Sequence, residues 1–97
     1  MQKLDQPTVQ FLIELYNNKK YEKLKIKIQE LLKLNNNNVF LHTLLGTIYY
    51  NENNYSKAKE KYKHAIQINP NYAEPYLALG NTYTALGRRD EAQKFLM

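Results

Sequence analysis

A chain of 97 residues suffices for one small domain, and its formal charge of +5 speaks to solubility and to the charge of a partner rather than to fold. The lack of cysteine excludes disulfides and thiolate-held metals. No stretch approaches the ~20 consecutive apolar residues of a membrane span. The start does not read as a secretory leader, because Glu14 interrupts a short apolar run and no small-residue cleavage site follows; a cytoplasmic location is the expectation.

The residues recur with a period of 34. Rows beginning at Asp5, Val39 and Ala73 align Leu45-Gly46 and Tyr49 with Leu79-Gly80 and Tyr83. They also align Ala58 with Ala92, Tyr16-Asn17 with Tyr50-Asn51, and Tyr21 with Tyr55. A period of this size marks an array of supersecondary units.

In chain order, the pattern predicts a first helix near 6–17. Asp5 caps it, Pro7 lies in its first turn, and Phe11 and Leu15 fall on one face. A second is predicted near 21–34 from Leu24, Ile28, Leu31 and Leu32, ending at the Asn35–Asn38 run. A third near 39–52 carries Leu41, Leu44, Leu45 and Ile48, and a fourth near 55–68 carries Tyr62, Ala65 and Ile66. Pro70 in Asn69-Pro70-Asn71 disfavours a helical Asn69 and separates the fourth helix from a fifth near 73–86, which has Pro75 where the first has Pro7. A sixth is predicted near 89–97. Asn17-Asn18, Asn53-Asn54 and Gly87 supply the turns inside the three pairs, being residues suited to left-handed backbone angles. Strand alternation is sustained nowhere.

The second row, through Leu45-Gly46, Tyr49, Tyr55, Ala58, Tyr62, Ala65 and Pro70, resembles the tetratricopeptide (TPR) repeat. The third row fits through Tyr76, Leu79-Gly80, Tyr83, Gly87, Ala92 and Leu96. The first keeps only length and apolar phase, with Leu12, Leu24 and Leu31 at the small-residue sites. The resemblance implies an all-α fold of antiparallel helix-turn-helix repeats stacked into a right-handed superhelix, an α-α solenoid. One domain over 1–97 is expected, with repeats near 5–38, 39–72 and a truncated 73–97. Gly46 with Ala58, and Gly80 with Ala92, should let the helices of a pair approach closely, whereas the leucines of the first pair should hold it wider. The third row stops inside its second helix, and Phe95, Leu96 and Met97 do not look like the polar cap of a terminal repeat. A fragment of a longer scaffold or TPR-containing enzyme is therefore one expectation, and self-association through the uncapped end another.

No catalytic constellation is present. His42 and His64 are the only histidines, with no carboxylate at zinc-site spacing around them. His42 is expected to be a half-buried packing residue and His64 to be solvated. The three glycines form no phosphate loop. No enzyme activity, cofactor or metal is expected. Lys23/Lys57, Lys25/Lys59 and Lys27/Lys61 stack by period. Glu91, Gln93 and Phe95 break the series in the third row, so nucleic-acid binding is not expected.

The resemblance implies that the first helix of each pair lines a concave groove for a peptide or partner helix. The matching positions are Val9, Ile13, Tyr16 and Asn17; Phe40, Thr43, Leu44, Thr47, Tyr50 and Asn51; and Leu77, Asn81 and Thr84. Family members that grip a chaperone's C-terminal carboxylate use basic residues and asparagines where this chain has Val9, Ile13, Leu44, Glu74 and Ala78, so that clamp is missing. The asparagine ladder of family members fused to protein glycosyltransferases is also missing, since its column reads Gln10, Leu44, Ala78. The expected role is non-catalytic protein–protein interaction with a protein or peptide partner.

Overall fold

Asp5 opens the first helix by accepting the Thr8 amide at 2.9 Å, which satisfies one of the donors a helix start leaves orphaned. The computed structural model describes residues 3–95, with side chains through Arg88, and every regular element among them is helical. In order these are α1 (Gln6–Asn17), α2 (Tyr21–Leu34), α3 (Val39–Asn51), α4 (Tyr55–Ile68) and α5 (Glu74–Phe95). Asn38 caps α3 through the Leu41 amide at 3.0 Å, and Asn54 caps α4 through the Lys57 amide at 3.4 Å. Between α4 and α5 the Asn69 side chain accepts the Asn71 amide at 3.1 Å, and the Pro70 carbonyl accepts the Tyr76 hydroxyl at 2.8 Å. Asn38, Asn54, Asn69 and Pro70 therefore act at the breaks where the pattern placed them.

The turns inside the first two pairs repeat one another. Lys19 has φ 57° and Asn53 has φ 64°. The next amide reaches back to close each turn, Lys20 to the Leu15 carbonyl at 2.9 Å and Asn54 to the Tyr49 carbonyl at 2.8 Å. This is the left-handed helix ending in which an amide two residues past the C-cap satisfies an orphaned carbonyl. In the first turn the left-handed residue is Lys19, not Asn17 or Asn18.

The third pair departs from expectation. The break at Gly87 and the separate sixth helix are absent: α5 runs unbroken from Glu74 to Phe95, and no described glycine has positive φ. A glycine inside a helix costs about 1 kcal/mol relative to alanine, a small penalty for a helix that keeps its backbone bonds through this position. Phe95, Leu96 and Met97, expected to form an uncapped apolar end, lie outside the described side chains.

Packing follows the small residues. α3 and α4 are the most intimate pair, followed by α4 and α5, whereas α1 with α2 and α2 with α3 touch sparingly. Leu12, Leu24 and Ile28 fill the wider space of the first pair and join Leu41, Leu45 and Ile48 in one fully buried cluster. The atoms nearest to Gly46 across the close approach of α3 and α4 belong to the Tyr62 ring. A Cβ added at Gly46 would stand 2.8 Å from that ring.

Candidate functional site

Because Gly46 has no side chain, the Tyr62 ring of α4 passes across α3 and brings its hydroxyl to Thr47. The Thr43 carbonyl can only accept, so Thr47 donates to it at 3.1 Å and receives the Tyr62 hydroxyl hydrogen at 2.9 Å. Burial pushes the Tyr62 phenol up from its ordinary pKa, against the Thr47 bond, and keeps it a neutral donor. Above this pair lies a depression of about 250 Å³ between α3 and α5, lined by Thr47, Tyr50, Asn51, Tyr62, Ala78 and Asn81. No lining residue is charged.

Asn51 extends the surface toward the first pair. Its amide nitrogen donates to the Tyr16 hydroxyl at 2.9 Å and to the Tyr21 hydroxyl at 3.3 Å, joining α3 to α1 and α2. The Tyr16 and Tyr21 rings tilt together with centroids 6.0 Å apart, and Tyr50 meets Tyr55 edge-on at 5.2 Å. Tyr16, Tyr50 and Asn51 thus place aromatic rings, a hydroxyl and an amide in and beside the depression.

The structure brings together Tyr16, Thr47, Tyr50, Asn51 and Asn81 of the groove positions named from the sequence. Val9 and Phe40 lie elsewhere, on a cavity of about 1040 Å³ lined also by Leu4, Asn37, Asn38 and Tyr72 at the loop ends of the helices. Leu44 packs against the buried cluster. Thr43 is only 2% exposed, with its hydroxyl donated to the Val39 carbonyl at 2.8 Å. Ile13, Asn17, Leu77 and Thr84 are exposed and line neither hollow. Tyr62 floors the depression from beneath, a role that its own position in the repeat does not announce. The only sequence signal for it is Gly46 opposite, which opens the space that its ring crosses.

His42 is more buried than expected, at 7% exposure, and its ring meets His64 edge-on at 4.4 Å. Its Nε2 lies 2.8 Å from the Asn36 carbonyl, so Nε2 carries the hydrogen and Nδ1 is a bare lone pair, buried with no partner among the described residues. Burial lowers the His42 pKa, His64 and Lys61 lower it further, and the Asn36 bond opposes them. The unfolded chain therefore binds a proton more readily than the fold does. This stability is complete above the ordinary histidine pKa of 6.5 and is lost as pH falls through the depressed folded value. Thermal midpoints should drop as pH falls from about 7.5 to about 5.5. His42→Gln, which retains a donor for Asn36, should flatten that drop; an unchanged slope in the variant would assign it to other groups. Asp5, held below the usual carboxylate value chiefly by its bonds to Thr8, titrates outside this window.

Two of the lysines are engaged locally. Lys25 and Lys57 flank the Tyr49 ring at 5.4 and 5.5 Å from its centroid. Lys25 also binds Glu22 and Glu52, each at 3.0 Å. Burial alone would lower the Lys25 pKa, but its bonds to Glu52 and Glu22 outweigh it and leave the value raised. Among the described residues, no group of three or more histidines and carboxylates could hold a metal ion, and no helix is long and apolar enough to cross a membrane.

Curated proteins give no match to the chain. A family model described as TPR repeat matches residues 46–87, from the middle of α3, through α4, to the middle of α5. The match begins at the glycine that admits Tyr62 and ends at the glycine where the repeat would turn. This part of the chain is similar to a TPR helix-turn-helix repeat, and the stack of neighbouring helices fits a solenoid of such repeats.

Proposed function

We propose that this chain is a non-catalytic binding module that takes an extended, largely uncharged peptide across the inner faces of α1, α3 and α5. The observation that carries the reading is the depression over Tyr62. Its volume of about 250 Å³ is the size of one side chain, not of a whole ligand. Tyr62 forms its floor, and the rim supplies the amides of Asn51 and Asn81 beside Thr47. A peptide seated there places an aliphatic or small aromatic side chain between Tyr50 and Ala78, and its backbone meets the amides. The uncharged lining favours neither an acidic tail nor a free carboxylate.

Peptides selected by display against the chain provide the test. Tyr50→Ala should weaken their binding about tenfold to a hundredfold, since a rigid aromatic beside a pocket is a typical anchor. Asn81→Ala should weaken it less, and Ile26→Ala, exposed on α2, should leave it unchanged. Affinity should vary little with salt, because no rim charge takes part. Full affinity in both Tyr50→Ala and Asn81→Ala would sink the assignment.

A further inference from the structure

Gly87 stands one period after Asn53 and two after Lys19, the two described residues with left-handed φ outside glycine. Glycine takes that conformation without steric cost and is a poor residue for a helix interior. Yet Lys19 and Asn53 turn the chain, and Gly87 does not. The best turn residue of the three sits unused inside α5.

The face that such a turn would cover is open. A Cβ at Gly46 meets the Tyr62 ring, whereas a Cβ at Gly80, one period later, meets nothing within 4 Å. Tyr76 and Tyr83 are 48% and 49% exposed on the same helix, whereas their counterparts His42 and Tyr49 are buried and half-buried. Leu77 is 74% exposed where its counterpart Thr43 is buried. The segment 88–95 carries Ala92 in the column of the fully buried Ala58, so by register it is the helix this face lacks. With α5 straight, its own chain cannot use it: eight residues at about 1.5 Å rise carry it about 12 Å onward from Gly87.

We propose that the occupant is the same segment of a second copy. Two chains with straight α5 helices exchange residues 88–95, each laying its segment on the Gly80, Tyr76 and Tyr83 face of the other, as in domain swapping. Turning at Gly87 returns the segment to its own chain as a closed monomer. Gly87 is therefore the hinge of a monomer–dimer equilibrium. This does not depend on the peptide reading, and its test measures mass rather than peptide binding.

Light scattering coupled to size exclusion, from micromolar to millimolar chain, distinguishes the states. The wild-type chain should pass from monomer to dimer across that range. Gly87→Ala favours the straight helix and penalises the left-handed turn in both chains, so it should tighten the dimer on the order of tenfold. Arg89→Pro acts in the opposite direction. Residue 89 is the counterpart of Tyr21 and Tyr55, the first residues of α2 and α4, where proline is tolerated; within a continuous helix it removes a bond and clashes with the preceding turn. This variant should remain monomeric at every concentration, with circular dichroism reporting that its helices persist. A wild-type chain that stays monomeric throughout, or Arg89→Pro dimerising as tightly as wild type, would overturn the proposal.

Discussion

Leu24→Ala should lower the unfolding free energy by about 2–5 kcal/mol, the range for truncating a fully buried leucine. The prediction opposes what the aligned rows suggest. Leu24 occupies the column of Ala58, and alanine there would bring the first pair into line with the TPR-like second row. However, α1 and α2 touch sparingly, and Leu24 fills the gap with Leu12 and Ile28, all three fully buried. Alanine would leave a cavity rather than draw the helices together, because Leu12 and Leu31 still hold the other small-residue sites open. Urea denaturation is the measurement: the midpoint should fall with the slope preserved. A stable Leu24→Ala would mean that the first pair can close up like the second, and that its leucines are interchangeable with small residues.

Gly46→Ala is the second large effect. The added methyl would lie 2.8 to 3.2 Å from three atoms of the Tyr62 ring. That ring is only 2% exposed and is tied to Thr47, so it has little room to give. Overpacking of this kind costs about 1–3 kcal/mol, and losing the Thr47 bond adds about 1 kcal/mol. The better helix propensity of alanine returns about 1 kcal/mol. A net loss of about 1–3 kcal/mol is expected, with the thermal midpoint falling accordingly. Tyr62→Leu should largely relieve the clash, so the double variant should lose clearly less than the sum of the two single losses. Strict additivity would show that the ring is not what fills the space at Gly46. The same substitution bears on function, because a displaced Tyr62 removes the floor of the α3–α5 depression.

Local signals made most of the fold legible. Asp5, Asn38 and Asn54 cap helices where the pattern places starts, and Pro70 ends α4 because its ring constrains Asn69 through covalent geometry alone. The apolar spacing of Leu24, Ile28, Leu41, Leu45 and Ile48 marks helix faces that the structure buries together, whereas in α1, where the pattern marks Phe11 and Leu15, the structure buries Leu12 and leaves Phe11 exposed. What the sequence conceals depends on partners distant along the chain. Gly87 carries the strongest turn signal of its column, but whether the chain turns there depends on which copy's surface the segment beyond it covers, which no local signal encodes. Gly46 announces a close approach without naming its partner. The aligned columns point to Ala58 and give no sign of Tyr62, four residues on, whose ring lies nearest to Gly46. In the candidate groove, helical spacing puts Thr43, Leu44 and Thr47 on neighbouring positions but does not say what lies over them; the structure buries Thr43 and leaves Thr47 at the rim. The bonds that join Asn51 to Tyr16 and Tyr21 span 35 and 30 residues, beyond the reach of any local pattern.

Amide and side-chain chemical-shift mapping of the isotope-labelled chain, titrated with a display-selected peptide, tests the proposed binding face most directly. The predicted result is a contiguous set of shifted signals at Thr47, Tyr50, Asn51, Tyr62 and Asn81, continuing to Tyr16. Shifts confined to Asn37, Asn38, Phe40 and Tyr72 around the larger cavity, or to the lysines flanking Tyr49, with the α3–α5 face unmoved, would contradict it.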